Sequence, residues 1–253
     1  MSDNGKNIER TKAYLKAFNR EKTLKLLINN DKPVIMDVGA NVGDSITEFL
    51  EWWPKAKIHA FEPQKECWPF LDTIAQKFDD VHVNRFALGS EDADEAAFFT
   101  HDLTSGQSGF SKINVESRDS INLSNLREES PQKIKEYAST LNHQRNVGMC
   151  RAESYIRDHK IIDIDLLKLD TQGYEPEVLK GMGASLSYVS VVITELMFYD
   201  FYERSLSFSD IEQYLLPAGF RLYDISHISK NPMNGRTDWI DAIYVNVRKQ
   251  TGK

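Results

Sequence analysis

From Val34 onward, short apolar runs alternate with segments of helical periodicity, and no other feature of the chain constrains its fold as strongly. VIMDV precedes a predicted helix near 43–53, KIHAF precedes another near 64–78, and VHVNRFAL follows. This alternation is typical of a parallel sheet that is covered by helices on both faces. We therefore expect an α/β fold of the doubly wound type.

The later part of the chain continues this pattern and ends in two strands without a helix between them. The later strand-like runs are DIDLLKLD, YVSVVITEL, FRLYDI and WIDAIYVNV, and helical patterns begin near GYEPEVLKG and SFSDIEQYLL. The last two runs are joined by a loop without helical periodicity, which predicts an antiparallel hairpin at the sheet edge. The whole pattern predicts seven strands, mostly parallel, with an antiparallel terminal hairpin.

Two segments fall outside this alternation. Residues 6–29 have apolar positions at helical spacing, so we expect an N-terminal helical cap with a structural role within residues 1–32. Between about 95 and 150 the pattern breaks: HDLTSGQSGFSK is rich in Ser and Gly, and PQKIKEYASTLN predicts a short surface helix. We interpret 101–145 as an insertion in a single domain of residues 1–253.

The composition limits the partners and the location of the protein. A net charge of −7, with no block of Lys and Arg, gives no general attraction to nucleic acid or to anionic membranes. The chain opens without a signal-peptide pattern and has no apolar run of transmembrane length, so we expect a cytoplasmic protein without a transmembrane segment. Cys67 and Cys150 form no Cys-x-x-Cys pair, and the six histidines lack metal-ligand spacing. The cysteines and histidines predict neither a disulfide framework nor a zinc site, and the sequence does not indicate an oligomeric state.

The turn after the first predicted strand has the sequence DVGANVG, residues 37–43. In a doubly wound sheet, ligands bind beyond the carboxyl ends of the strands, where such a turn enters a helix. Gly39 and Gly43 permit close backbone approach, and the following helix presents free N–H groups to a polar ligand. The middle glycine of the Gly-x-Gly-x-x-Gly dinucleotide fingerprint is missing. Asp37 and Asn41 suit the amino-acid end of S-adenosylmethionine better than a pyrophosphate, and a tight connection without a ligand is the alternative.

Glu62 ends the second predicted strand, 19 residues after Gly43. An acid at this position points into the same crevice and can accept hydrogen bonds from both hydroxyls of a ribose. Dinucleotides and S-adenosylmethionine both contain a ribose. Glu62 therefore indicates nucleoside binding without choosing between the two cofactors.

Six segments of the chain carry a family resemblance. They are VIMDVGANVGDS, HAFEPQKECWPFL, VHVNRFALGS, LLKLDTQGYEPEVLKGM, the stretch from VVITEL to FRLYDI, and DWIDAIYV. Their order and spacing resemble those of the FkbM family of S-adenosylmethionine-dependent methyltransferases over about residues 33–247, most weakly from 101 to 145. The resemblance implies a Rossmann-like class I methyltransferase fold, S-adenosylmethionine as cofactor, and O-methylation of a hydroxyl on a sugar, a glycan or a related natural product.

The resemblance also implies roles for single residues. It places the glycine turn around the methionine part of the cofactor, Glu62 at the ribose, and Ala87 and Leu88 at the adenine. Asp170, which ends LLKLD, lies near the reacting methyl group. The candidate cofactor-binding residues are Asp37, Gly39, Asn41, Gly43, Ser45, Glu62, Pro63, Ala87, Leu88 and Asp170.

Three further positions match the family pattern or depart from it. Gln172 stands where many relatives have Glu, so a carboxylate is lost there. Glu195 matches a family acid, and Tyr202 matches a family aromatic. Tyr202 has a structural interpretation as well, because aromatic side chains are commonly buried in the core.

An alcohol becomes a good nucleophile for methyl transfer only when a base accepts its proton. The first candidate for the catalytic base is Asp170. The second is His227, at the end of the sixth predicted strand. Asp170 and Glu195 could instead bind Mg²⁺, which would orient the hydroxyl. Two carboxylates are few ligands for a cation that prefers octahedral coordination, so we expect a metal-independent site.

The insertion is the expected substrate region, since loops on a rigid α/β sheet commonly determine specificity. Its serines Ser105, Ser108 and Ser111 either face a small-molecule or glycan substrate or lie in a surface loop. We expect the insertion to leave cofactor binding nearly unchanged. Two other functions stay open: a non-catalytic protein that binds the cofactor, and an NAD-dependent oxidoreductase, which the missing glycine disfavours.

Overall fold

A seven-stranded sheet forms the centre of the computed structural model, which describes residues 3–117, 130–232 and 234–250. In chain order, the strands of these residues are β1 (Val34–Val38), β2 (Lys57–Phe61), β3 (Val81–Asn84), β4 (Ala87–Gly89), β5 (Ala93–Thr100), β6 (His143–Arg151), β7 (Ile164–Leu169), β8 (Val189–Met197), β9 (Phe220–Lys230) and β10 (Thr237–Asn246). The larger sheet has the order β3-β2-β1-β7-β8-β10-β9, and a smaller sheet has the order β4-β6-β5.

The strand directions agree with the sequence pattern. β1 pairs in parallel with β2 and β7, and β7 pairs in parallel with β8. β10 is antiparallel to both β8 and β9. The predicted seven-stranded sheet with its terminal hairpin is therefore confirmed. The carboxyl ends of β1, β2, β7 and β8 meet at one edge, so the loops that leave these strands converge there.

Helices cover both faces of the larger sheet. They are α1 (Asp3–Ala17), α2 (Arg20–Ile28), α3 (Asp44–Trp52), α4 (Trp68–Ala75), α5 (Pro131–Ser139), α6 (Ala152–Asp158), α7 (Glu175–Met182), α8 (Phe208–Ala218) and α9 (Val247–Gln250). Leu24 of α2 and Phe49 of α3 pack in one buried cluster, and Tyr155 of α6, Val178 of α7 and Leu215 of α8 pack in another. Strands β1 and β7 contribute to both clusters, because successive strand side chains point to opposite faces.

The predicted N-terminal helical segment forms as two helices. α1 ends before Asn19, whose side chain accepts a hydrogen bond from the Lys22 N–H at 2.9 Å and thereby caps α2. The same segment reaches the terminal hairpin, since Arg20 of α2 forms an ion pair with Asp241 of β10 at 3.3 Å. No helix of the described residues is both long enough and apolar enough to cross a bilayer.

The insertion differs from its sequence-based prediction. β5 and β6 lie largely in the stretch where the strand–helix alternation breaks and no strand was predicted, and with β4 they form the smaller sheet. VHVNRFAL likewise forms β3 in one sheet and β4 in the other, not a single strand. The predicted surface helix forms as α5, with Ser130 as its N-cap, and residues 118–129 of the insertion lie outside the described residues.

Candidate functional site

The glycine turn packs directly against the end of β7. Gly39, Asn41 and Gly43 have φ angles of +83°, +47° and +93°. A Cβ atom on Gly39 would lie 1.9 Å from the carbonyl oxygen of Asp170. Only glycine fits this approach without a shift of the backbone. The close contact brings the turn after β1 beside the loop after β7.

A cavity of about 290 Å³ opens between this turn and the ends of the neighbouring strands. It is slightly smaller than the roughly 300–1,000 Å³ that is usual for small-molecule sites. Backbone of the glycine turn, the end of β2, β4, the loop after β7 and the insertion all contribute to its wall. The lining residues are Val38, Gly39, Asn41, Phe61, Glu62, Pro63, Gln64, Ala87, Leu88, Phe98, Ser105, Gly106, Ser108, Phe110, Asp170, Thr171, Gln172 and Glu195.

Glu62 is fixed at one side of this cavity. Its side chain accepts hydrogen bonds from the backbone N–H of Asn41 and from that of Gln64, each at 2.8 Å. Burial raises the pKa of Glu62, and these two N–H groups oppose the shift. A carboxylate has about four acceptor positions, so two remain for a ligand.

A hydrogen-bonded group of four side chains forms the other end of the cavity. The Gln172 side-chain amide donates to Asp170 Oδ1 at 2.8 Å and to Glu195 Oε2 at 3.1 Å. The Tyr202 hydroxyl lies 2.6 Å from Gln172 Oε1 and 2.9 Å from the carbonyl oxygen of Gln107, so its single proton has two acceptors. Gln172 has a φ of +57°, so its backbone adopts the left-handed conformation at the centre of this group. No donor of the described residues reaches Glu195 Oε1.

The two carboxylates of this group have different environments. Lys168 Nζ lies 3.3 Å from Asp170 Oδ2 and 3.3 Å from Asp37 Oδ1. Burial alone lowers the pKa of Lys168, but the two carboxylates outweigh burial and raise it. No cation of the described residues contacts Glu195, and burial, followed by the neighbouring charge of Asp170, raises the pKa of Glu195 well above its usual value.

A second ion pair lies beside Glu195. Asp241 is opposite Glu195 in the pairing of β10 with β8, and opposite His227 in the pairing of β10 with β9. Arg20 binds Asp241, and the Arg20 Nε is buried without a hydrogen-bond partner in the described structure. The N-terminal helices therefore contact the site, in addition to covering the sheet.

The structure brings most of the sequence-predicted cofactor residues together. Those that line the cavity are Gly39, Asn41, Glu62, Pro63, Ala87, Leu88 and Asp170. Asp37, Gly43 and Ser45 do not line it. Asp37 is fully buried, accepts a hydrogen bond from Ser45 at 2.5 Å and faces Lys168. Asp37 and Ser45 therefore support the turn from outside the cavity, since their hydrogen bond joins β1 to α3.

His227 lies away from the cavity. It is exposed on β9, the outermost strand, and β10 separates it from Glu195. His227 was predicted to lie beside the site, but it does not line the cavity. The reason is that the sixth predicted strand forms the edge of the sheet. The strand order could not be read from the local sequence.

Several lining residues were not predicted. They include Phe98, in the strand before the insertion, and Gly106 and Phe110 of the insertion, whereas Ser105 and Ser108 were among the serines expected to face a substrate or to lie in a surface loop. The Ser-rich composition of this segment indicated a possible binding loop. It did not indicate which part of the cavity the loop covers. Gln172 was interpreted as the loss of a carboxylate, and its bridging amide had no sequence signal.

Comparison with protein families gives one match over most of the chain. The model of the methyltransferase FkbM domain matches residues 37–222. The protein is also similar to the 2-O-methyltransferase NoeI of Sinorhizobium fredii, with 24% identity over 194 residues, which is 76% of this chain and 74% of that protein.

Solved structures of methyltransferases resemble the fold. A methyltransferase FkbM from Methylobacillus flagellatus aligns with a TM-score of 0.48 and 15% identity over 85% of this chain, and this chain spans 44% of that protein. The precorrin-6y C5,15-methyltransferase of Geobacter metallireducens aligns with a TM-score of 0.45 and 13% identity over 89% of this chain and 86% of that one.

Proposed function

Because the chain belongs to the FkbM methyltransferase family, we propose that it methylates a hydroxyl group of a sugar, a glycan or a related natural product. The protein is a methyltransferase, and its cofactor is S-adenosylmethionine. The observation that carries the proposal of O-methylation is Glu195, a half-buried acid at the end of the cavity, one oxygen of which has no hydrogen-bond donor among the described residues. The similarity to a 2-O-methyltransferase supports the same reaction type.

The cavity suits S-adenosylmethionine on three observations. Gly39 lines the cavity and has no side chain, so a ligand there meets bare backbone at the turn. Glu62 has acceptor positions left for the two ribose hydroxyls. Ala87 and Leu88 present an apolar strand for the adenine ring. We assign the methionine part to Gly39 and Asn41 and the reacting end to the group around Asp170.

When bound, the cofactor would supply a methyl group on a positively charged sulfur, and an oxygen that attacks the methyl carbon in line would displace the sulfur. Most of the help that a protein can give to such a displacement is positioning in a dry pocket. The remaining requirement is a base for the hydroxyl proton, which contributes about 10²- to 10⁴-fold. We propose that Glu195 Oε1 accepts this proton.

Asp170, the base that the sequence indicated first, fits less well. Its Oδ2 is paired with Lys168 and its Oδ1 accepts from Gln172, so both oxygens already have donors. An ion-paired carboxylate is a weaker proton acceptor, because the cation stabilises its charged form. We propose that Asp170 positions Gln172 and keeps Lys168 at the reacting end.

The same contacts favour a metal-independent site. The Gln172 amide occupies the position between Asp170 and Glu195 where a bridging cation would have to bind. Amide N–H groups are donors and cannot be ligands to Mg²⁺, which binds oxygen. Activity should therefore persist in EDTA.

The experiment that tests the proposed function is a methyl-donor assay with a panel of sugars, glycans and glycolipids, read by the mass gain of the product. We expect turnover of at least one carbohydrate hydroxyl, unchanged by EDTA. Turnover of amines alone would overturn O-methylation. Cofactor binding without turnover of any acceptor would favour the non-catalytic alternative, and restoration of EDTA-treated protein by Mg²⁺ would reject the metal-independent site.

Glu62→Ala should weaken binding of S-adenosylmethionine and S-adenosylhomocysteine by about 1.5–3 kcal/mol, roughly 10- to 150-fold in Kd, because charge-assisted hydrogen bonds to the ribose are lost. Isothermal titration calorimetry measures this change. Glu66→Ala is the matched control, since Glu66 is an exposed acid in the same loop and lies outside the cavity. Equal affinities of the wild type and Glu62→Ala would remove Glu62 from the cofactor site.

A further inference from the structure

The insertion contributes a polar group to the cavity that the protein itself leaves unpaired. Ser108 is 7% exposed and lines the cavity, and its Oγ has no hydrogen-bond partner among the described residues. A buried hydroxyl without a partner is destabilising, because it gives up its hydrogen bonds to water without replacing them. Such a cost is expected where a ligand supplies the missing partner.

Hydrogen bonds on one side of Ser108 hold the segment against the cofactor loops. The Ser105 hydroxyl donates to Asn41 Oδ1 at 2.6 Å, and the Gln64 side-chain amide donates to the carbonyl oxygen of Ser105 at 3.1 Å. Asn41 belongs to the glycine turn, and Gln64 lies two residues after Glu62. The segment is thus attached to the residues that we assign to the methionine and ribose parts of the cofactor.

On the other side of Ser108, the segment pairs with β5 and lies close to the loop after β7. Gly109 exchanges two backbone hydrogen bonds with Phe99, at 2.8 and 3.1 Å. A Cβ atom on Gly109 would lie 3.3 Å from the Cβ of Gln172, so the backbone is close to the loop after β7. Residues 105–109 therefore cross the cavity from the loop after β2 to the loop after β7.

Aromatic side chains lie near Ser108 in the lining of the cavity, and this combination suits a nucleoside. Phe98 and Phe110 both line the cavity, with ring centroids 5.1 Å apart in an edge-to-face arrangement. Phe110 packs in turn on Tyr174 at 4.3 Å. Apolar ring surface beside a single unpaired hydroxyl suits a purine riboside, which has flat apolar faces and polar edges.

We propose that Ser108 forms a hydrogen bond with the adenosyl part of bound S-adenosylmethionine, and that residues 105–110 are a wall of the cofactor site. This differs from the sequence-based expectation that the insertion contacts only the acceptor. The inference rests on the cofactor and not on the identity of the acceptor. It can therefore be tested with no acceptor in hand.

The test compares Ser108→Ala with Ser111→Ala by calorimetry, using S-adenosylhomocysteine and 5′-methylthioadenosine, which lacks the amino-acid part. Ser111 is the matched control because it is a partly buried serine of the same segment that does not line the cavity. Loss of one neutral hydrogen bond should raise the Kd of both ligands about threefold to tenfold in Ser108→Ala. Ser111→Ala should change neither Kd by more than about twofold.

The Tm of the ligand-free protein provides a second readout. Removing an unpaired buried hydroxyl should leave the Tm of Ser108→Ala unchanged or raise it, so stability and cofactor affinity should respond in opposite directions. A structural role for Ser108 would lower both. Ser108→Cys, which keeps the side-chain size and weakens the donor, repeats the test if the alanine variant does not fold.

Three results would overturn the proposal. The first is an unchanged Kd for both ligands in folded Ser108→Ala, with or without a higher KM for the acceptor. The second is a weaker affinity for S-adenosylhomocysteine alone, which would assign Ser108 to the amino-acid part. The third is an equal loss of affinity in Ser111→Ala. Failure to find a carbohydrate acceptor would overturn the proposed O-methylation but leave this result in place.

Discussion

Glu195→Gln is expected to lower kcat at least ~100-fold and to change the Kd of S-adenosylhomocysteine by less than about twofold. The substitution keeps the size of the side chain and removes the proton acceptor at the end of the cavity. A base acts in the transition state more than in binding, so the effect should fall on kcat. The measurement is steady-state turnover of an acceptor from the panel, with calorimetry for the cofactor product.

The pH dependence of the rate gives an independent signature of this base. Because burial and Asp170 raise the pKa of Glu195, activity should fall as the pH falls through that raised value, where the carboxylate becomes protonated. In Glu195→Gln the residual activity should lack this acidic limb.

Asp170→Asn is the matched comparison for Glu195→Gln. It removes an acid at the same end of the cavity, but one that Lys168 already neutralises in part. We expect a smaller loss of kcat and an acidic limb that persists. A larger loss in Asp170→Asn, with the acidic limb removed, would make Asp170 the base, as the sequence indicated.

Gly39→Ala should destabilise the protein by at least ~3 kcal/mol and abolish measurable cofactor binding. A Cβ atom would lie 1.9 Å from the backbone oxygen of Asp170, and a φ of +83° is unfavourable for alanine. Either the turn or the end of β7 has to move, and both form the cavity wall. Since ~1 kcal/mol shifts the Tm of a chain of this size by about 2–4 °C, the Tm should fall by at least about 6 °C.

Gly235→Ala separates the two causes of this effect. Gly235 also has a positive φ, +73°, but nothing lies within 4 Å of the Cβ that alanine would add. Only the conformational cost remains, about 1 kcal/mol, and cofactor binding should be unchanged. If Gly39→Ala were no more destabilising than Gly235→Ala, the close packing of the turn on β7 would be wrong.

The larger sheet and the cofactor side of the site could be predicted because local patterns determine them. VIMDV and KIHAF are apolar runs that end in a glycine turn and in an acid, and in a parallel sheet the two ends must converge. The hairpin of β9 and β10 was predicted from the loop between them. These features depend on the order of residues within short stretches of the sequence.

The smaller sheet could not be predicted in the same way. β5 has the sequence ADEAAFFT and β6 the sequence HQRNVGMCR, and many of their side chains are exposed. Strands of this kind lack the apolar alternation that marks a buried face, and they are held by pairing with a distant segment. Their pairing joins residues 93–100 to 143–151, across the insertion.

The catalytic side depended on contacts between strands that are remote in sequence. His227 follows an apolar run, as Glu195 does, but strand order makes β9 the edge of the sheet. The role of Gln172 depends on three partners from different elements, Asp170, Glu195 and Tyr202. The pairing of Lys168 with Asp170, two residues later, is local in sequence, but the position of Glu195 beside them depends on the packing of β8 on β7.

The balance of charge at the reacting end has a consequence for repeated turnover. Four carboxylates, Asp37, Asp170, Glu195 and Asp241, lie near two cations, Lys168 and Arg20, so the carboxylates outnumber the cations among these groups. Methyl transfer removes the positive charge of the cofactor sulfur. The excess carboxylates then no longer attract the cofactor through that charge. Above the raised pKa of Glu195, we therefore expect S-adenosylhomocysteine to bind less tightly than S-adenosylmethionine. Such a difference would limit inhibition by the product, and added salt should reduce it by screening the charges.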